Sequence, residues 1–173
     1  MKKIAVVILN YNGVEHLKKH LNNVLRHSAP HDVIVADNCS TDQSVEYINS
    51  VDGFKIIQNY ENIGFAGGYN EALKQIEGQY EFYFLLNSDV EVSPNFLIPL
   101  VKTMEDRKIG ACQPKVNALL KPNFFEHAGA SGGFIDRNYY PFCRGRIFDH
   151  VEEDKGQYES ESYVTWTSGA AML

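Results

Sequence analysis

"IAVVILNYNGVEHLKKHLNNVLRHSAPHDVIVAD", residues 4–37, decides the fold. It opens on an unbroken apolar run, Ile4 to Leu9, the pattern of a strand buried on both faces rather than one alternating between core and water. After Asn10-Tyr11-Asn12-Gly13 the period changes. Val14, Leu17, Leu21 and Val24 or Leu25 recur at helical spacing, and Pro30 lies beyond the helix end. Val33 to Ala36 is a second strand. A strand, a helix and a strand in this order imply a parallel pair joined by a crossover.

The alternation continues outward from this unit. Ser40-Thr41-Asp42 offers cap residues for a short helix carrying Val45, Ile48 and Val51; Gly53 ends it, and Phe54 to Ile57 is a third strand. "NIGFAGGYNEALKQIEG", residues 62–78, is a glycine-rich loop running into a helix with Tyr69, Leu73 and Ile76 on one face. Glu81 to Leu86 is a fourth strand. Ser93-Pro94 then reads as a cap followed by a first helical residue, with Phe96, Leu100 and Met104 inward and Pro99 shortening the helix. Ile109 to Val116 reads as a further strand, placed near an edge by Pro114. The expected architecture is α/β, a mostly parallel sheet flanked by helices. Beyond Asn117 the periodicity fades into loop-like segments. The acid-rich stretch from Glu152 to Glu161 reads as a solvated loop.

Composition narrows the function classes. The chain has 173 residues, 44% hydrophobic and 22% charged, which suits one globular domain with a real core. A net charge of −6 argues against nucleic-acid binding. No apolar run approaches the roughly 18 residues of a spanning helix, and Ile4 to Leu9 is too short, and lacks a cleavage site, for a signal peptide. Three scattered cysteines, Cys39, Cys112 and Cys143, form no CxxC pair, so the expected setting is a reducing cytoplasm without a disulfide scaffold or zinc site.

Polar residues gather where such a sheet binds ligands, beyond the carboxyl ends of its strands. The first strand ends in Asn10-Tyr11-Asn12-Gly13, the second in Asp37-Asn38, the third near Asn59, the fourth in Asn87-Ser88-Asp89. Asp37 could accept a ring N–H of the kind uracil or thymine presents, or simply support its turn. Tyr11 could lie against a base or pack on the next helix. Gly64, Gly67 and Gly68 lead into a helix N-terminus, a place where backbone can approach phosphate, although a tight turn explains them as well. There is no GxGxxG and no Walker lysine, which removes a dinucleotide-dependent oxidoreductase. Asp89 is the sharpest candidate. A hard divalent cation, Mg or Mn, takes one or two carboxylates and completes its shell with diphosphate oxygens.

"VVILNYNG", "VIVADNCSTDQS", "NIGFAGGYNEAL" and "FLLNSDVEV", in this order and spacing, closely resemble the family 2 glycosyltransferases of GT-A fold, and most of all their rhamnosyltransferase-like branch. The resemblance is strong from Lys3 to Val92 and weaker to "TWTSGAAML". It implies a UDP- or dTDP-type nucleotide-sugar donor, an acceptor hydroxyl on a saccharide or lipid-linked saccharide, and inversion. By position it implies that Leu9 and Tyr11 line the base pocket, that Asp37 accepts the base N–H, and that Asn62, Gly67 and Asn70 lie beside ribose or phosphates. Asn87 and Ser88 would meet ribose or donor sugar, and Asp89 would ligate the metal. Asn87 departs from the family's D-x-D motif by bringing an amide instead of a charge.

The family's general base belongs to an acidic motif that follows the "SGAAML"-like strand, and no residue here matches it. The expectation is a single GT-A domain over residues 1–173, truncated at its C-terminal end, with 1–116 the nucleotide-sugar half and 117–173 the start of an acceptor-side half. If the chain does end at Leu173, the alternative is a nucleotide-sugar-binding module without turnover. Peripheral membrane contact is compatible with either reading. His127 and Trp166 remain open between site and structural roles, with Trp166 either stacking on an acceptor sugar or packing in the core.

Overall fold

A computed structural model of the chain describes residues 3–127 and 129–173, which fall into two compact units, residues 1–97 and 98–173. The first unit holds the parallel sheet. Its strands are β1 (Ile4–Asn10), β2 (Asp32–Asp37), β3 (Lys55–Gln58) and β4 (Phe82–Asn87), with helices α1 (Val14–Ser28), α2 (Ser44–Asn49) and α3 (Gly64–Gln75) between them. In space the strands run β4-β1-β2-β3, all parallel. From β1 the chain builds outward to β2 and β3, then crosses back to place β4 on the other side. The order therefore reverses between β1 and β4, the position where open α/β sheets bind ligands.

The apolar run of β1 is buried from Ile4 to Ile8, with Leu9 partly so, because both faces of the sheet are covered. Ala5 and Val7 join Ile34, Ala36 and Ile57 in one cluster, closed by Tyr69 and Ala72 of α3, by Ile76 just beyond it and by Tyr80. Val6, Ile8, Val33 and Val35 alternate to the opposite face and are equally buried. The inward stripe of α1 is Leu17, Leu21 and Val24, the predicted spacing. The Tyr69 hydroxyl donates to Leu86 O at 3.0 Å, and burial pushes its pKa well up, so it stays a neutral donor tying α3 to β4.

Asp32 anchors the opposite end of the sheet. Its Oδ2 accepts from Lys55 Nζ at 2.8 Å and Tyr80 Oη at 2.7 Å, while Lys3 Nζ lies 3.7 Å away. The hydrogen bonds from Lys55 and Tyr80 hold its carboxyl below the usual range.

Two sequence expectations change. Helix α4 (Leu97–Thr103) begins at Leu97, not at Ser93-Pro94. Asn95 takes a left-handed φ of 62°, which breaks any helix across it. Pro99 then falls in the first turn, where a missing N–H costs nothing. The expected strand Ile109 to Val116 is also absent. That stretch forms scattered bonds instead: Cys112 and Leu173 exchange backbone hydrogen bonds at 2.9 Å, and Val116 N donates to Ala130 O at 2.9 Å.

The second unit is built from short antiparallel pieces. A hairpin joins β5 (Asn117–Ala118) and β6 (Lys121–Phe125). A four-stranded sheet runs β7 (Gly133–Ile135), β8 (Pro141–Cys143), β9 (Arg146–Ile147) and β10 (His150–Val151), and β11 (Ala171–Met172) comes last. Trp166 lies flat on β7: a methyl group at Gly133 would come within 2.0 Å of the indole, and Trp166 Nε1 donates to Phe134 O at 3.0 Å. His127 is exposed. No helix among the described residues is long and apolar enough to cross a membrane.

The acid-rich stretch is more than a solvated loop. Lys115 pairs with Asp154 at 2.7 Å and with Glu159. The Lys115 bond, helped by Asn117, lowers the Asp154 pKa to about 2. A carboxyl depressed in the folded state stabilises above its unfolded value and loses that contribution as pH falls through the folded value. The melting temperature is therefore expected to drop between pH 3.8, the ordinary value, and about 2. In Asp154→Asn that part of the drop should be missing, as a melting series over this range would show.

Candidate functional site

The register of the sheet sets the site. Asn10 pairs across from Asp37, and Leu9 across from Asn87, so the last residues of β4, β1 and β2 form one row at the carboxyl rim. Asp37 is its centre, and only 1% of it is exposed. Its Oδ1 accepts from Asn10 Nδ2 at 2.9 Å and Ser40 Oγ at 2.6 Å, and its Oδ2 accepts from Ser40 N at 2.9 Å. A carboxylate offers about four lone-pair positions. Three are occupied, which leaves one on Oδ2.

The loops beyond the strands brace one another. Asn12, with φ 50°, accepts through Oδ1 from Thr41 N at 2.7 Å and Asp42 N at 3.2 Å. Asp42 in turn accepts from Val14 N at 3.2 Å and Ser44 N at 2.9 Å, so one side chain caps the first turns of α1 and α2. Burial pushes the Asp42 carboxyl up, but hydrogen bonds from Ser44 and Val14 outweigh it and hold it below its ordinary value. Tyr11, next to this brace, is 49% exposed.

A chain of amides, buried at Asn38 and Asn59 and exposed at Asn62, links β2 and β3 to α3. Asn38 Nδ2 donates to Asn62 Oδ1 at 2.8 Å and Gly64 O at 3.2 Å, while Asn59 Nδ2 donates to Asn38 Oδ1 and Gly68 O, both at 3.0 Å. Asn62 also accepts from Gly64 N at 3.0 Å, which fixes the start of α3. Gly68 is required by close approach, since a methyl group there would meet the Asn38 side chain at 2.9 Å. Gly68→Ala is expected to cost about 1–3 kcal/mol, typical of overpacking, as measured by urea denaturation. Gly67 lies in the first turn of α3, and Asn70 is exposed on it with no side-chain hydrogen bond among the described residues.

On the other side of β1, Asn87 ends β4 and Ser88 reaches toward Gly13: its Oγ would lie 3.6 Å from a methyl group there. Asp89 is exposed and has no hydrogen bond or ion pair among the described residues. The following segment is tied down, because Val92 N donates to Asn23 Oδ1 at 2.8 Å and Glu91 lies 3.3 Å from buried His20 Nδ1. A free carboxylate on a fixed turn, beside an amide and a hydroxyl, fits a hard divalent cation that draws its other ligands from phosphate. Among the described residues no three acid, histidine or cysteine side chains cluster as a self-sufficient metal site.

Leu9, Asp37, Asn87 and Ser88 thus share the rim of β4, β1 and β2, with Tyr11 and Asp89 following directly. Asn62, Gly67 and Asn70 belong to the neighbouring α3 segment. Sequence reasoning placed Asn10 and Asn38 at polar strand ends and read Ser40 as a helix cap, but did not foresee that Asn10 and Ser40 immobilise Asp37 or that Asn38 bonds Asn62.

The sequence profile described as "Glycosyl transferase family 2" matches residues 5–162. The poly(ribitol-phosphate) beta-N-acetylglucosaminyltransferase TarS of Staphylococcus aureus is 35% identical over 97 residues, 51% of this chain and 16% of its own length. The structure of TarS residues 1–349 in complex with UDP-GlcNAc superposes with a TM-score of 0.56 at 26% identity, over 66% of this chain and 34% of that one. The mannosyltransferase PcManGT of Pyrobaculum calidifontis, solved with GDP-Man and Mn2+, gives a TM-score of 0.58 at 21% identity, over 68% of this chain and 36% of its own. The fold is accordingly the GT-A arrangement, and this chain spans only a fraction of the relatives' length. With the profile covering nearly all of it, the chain belongs to glycosyl transferase family 2.

Proposed function

We propose that the first unit binds a UDP- or dTDP-type nucleotide sugar and that the protein transfers the sugar, with inversion, to a hydroxyl of a saccharide or lipid-linked saccharide. The observation that carries this reading is Asp37, immobilised by Asn10 and Ser40 with one acceptor position remaining, in the same row as Asn87 and Ser88. That position takes the base N–H, and Leu9 and Tyr11 supply apolar walls. The amide-braced start of α3, with Asn62, Gly67 and Asn70, faces ribose and phosphates. TarS, solved with UDP-GlcNAc, offers an analogy in donor type.

Asp89 holds the divalent cation, Mg or Mn. The cation, when bound, neutralises charge on the departing diphosphate. Asn87 and Ser88 orient ribose or sugar by hydrogen bonds. In the transfer the acceptor oxygen forms a bond to the anomeric carbon on the face opposite the diphosphate. The old C–O bond breaks with its electron pair leaving on the nucleotide, and the acceptor proton passes to a base that lies outside the residues assigned here. The setting proposed is the cytoplasmic side, with peripheral membrane contact if the acceptor is lipid-linked.

The test is a panel of UDP- and dTDP-sugars incubated with Mn2+ and saccharide acceptors, with NMR following the anomeric proton. The reading expects nucleotide diphosphate release coupled to a product of inverted configuration. A product of retained configuration would overturn the stereochemical part. Failure of the rim to bind any nucleotide diphosphate would overturn the whole.

A further inference from the structure

The second unit contains a cleft of about 590 Å³, walled by the end of α4, residues 108–115, Ser131-Gly132 and the segment 158–167. Arg144 lines it. Its Nε donates to Ser131 O at 2.8 Å, and its guanidinium lies 5.6 Å from the Phe134 ring centroid and 5.1 Å from that of Tyr158. Backbone pairing holds it too, with Arg144 N donating to Gly132 O at 3.0 Å and Ser131 N to Arg144 O at 3.2 Å. The side chain is thus fixed between two rings before any ligand arrives.

What it lacks is a counter-charge. Among the described residues no carboxylate pairs with Arg144, and its two terminal nitrogens make no hydrogen bond. The other cations on the wall differ. Lys115 is neutralised by Asp154 and Glu159, whereas Lys108 has no ion pair among the described residues. Glu161 also lines the cleft and accepts from Thr103 Oγ1 at 3.0 Å. A half-buried guanidinium held in one plane, its fork unfilled, is suited to a planar or tetrahedral oxyanion gripped by two parallel N–H bonds. The ring faces compensate the charge only in part. The cleft is far larger than a bare ion, and its walls add Tyr163, Thr165 and Trp166.

We infer that this cleft binds a polyol or saccharide bearing a phosphate or carboxylate group, with Arg144 gripping the oxyanion through its terminal nitrogens. The inference is independent of the nucleotide site on the first unit. It is also open to a direct optical test, because Trp166 is the chain's single tryptophan and lines the cleft.

The experiment titrates the chain with glycerol 3-phosphate, glucuronate and glycerol at constant ionic strength, reading tryptophan emission. The expected result is a saturable change with at least one of the two anions and none with glycerol. Which anion binds more tightly separates phosphate from carboxylate as the natural group. Arg144→Gln should raise the midpoint roughly tenfold or more, the effect of losing charge-assisted hydrogen bonds. Arg144→Lys, which keeps charge but not the fork, should fall between them and decides the matter if Arg144→Gln does not fold. Equal midpoints in wild type and the folded variant, or no saturable response to either anion, would overturn the inference.

Discussion

Replacing Asp37 by alanine is expected to weaken UDP binding roughly tenfold to a hundredfold, the range for losing a hydrogen bond to a charged acceptor. The same change is expected to destabilise the fold by about 2–4 kcal/mol, because the buried donor on Asn10 and the partly buried donors on Ser40 lose their acceptor. Two effects from one residue need separation. Ser40→Ala provides it: the hydroxyl bonds of the network go, while the backbone Ser40 N–H and the remaining acceptor position on Asp37 Oδ2 stay. It should cost about 1 kcal/mol in denaturant titrations yet keep most of the UDP affinity. If Ser40→Ala and Asp37→Ala lost binding equally, the role of Asp37 would be purely structural.

Asp89→Ala should behave in the opposite way. Asp89 is exposed and unpaired among the described residues, so its removal should leave stability within about 0.5 kcal/mol of wild type. Function should suffer, because Asp89 is the only carboxylate in the N-x-D turn. The gain in UDP affinity on adding Mn2+ should disappear, and the transfer rate should fall on the order of a hundredfold or more. Calorimetry with and without Mn2+, beside a melting curve, reads both. A variant that kept its Mn2+-dependent gain would remove the metal role from Asp89.

The parallel sheet was readable because its central strands are apolar without a break, and only strands covered on both faces have that pattern. Polar strand ends identified the rim because the apolar run gives way there to side chains that hydrogen-bond one another, although Asn10, Asp37, Asn38 and Asn59 remain buried. Other features depend on contacts far apart in sequence. Asn59 reaches Asn38, and Asn38 reaches Asn62, yet each of these asparagines reads locally as a turn residue. The second unit was illegible because several of its strands are only two or three residues long, shorter than any period can register. Ile109 to Val116 misled because a partly apolar run bonded to several separate partners, Leu173, Ala130 and Glu126 among them, instead of to one ladder. Trp166 left two readings open in the sequence, and only the bare backbone at Gly133 shows what the indole lies against.

The most direct measurement is calorimetric titration of wild type, Asp37→Ala and Asp89→Ala with UDP, dTDP and GDP, each with and without Mn2+. The predicted result is UDP or dTDP binding that is weakened roughly tenfold to a hundredfold in Asp37→Ala, and weakened in Asp89→Ala only when metal is present. Tight, metal-independent nucleotide binding that is indifferent to both substitutions would contradict it.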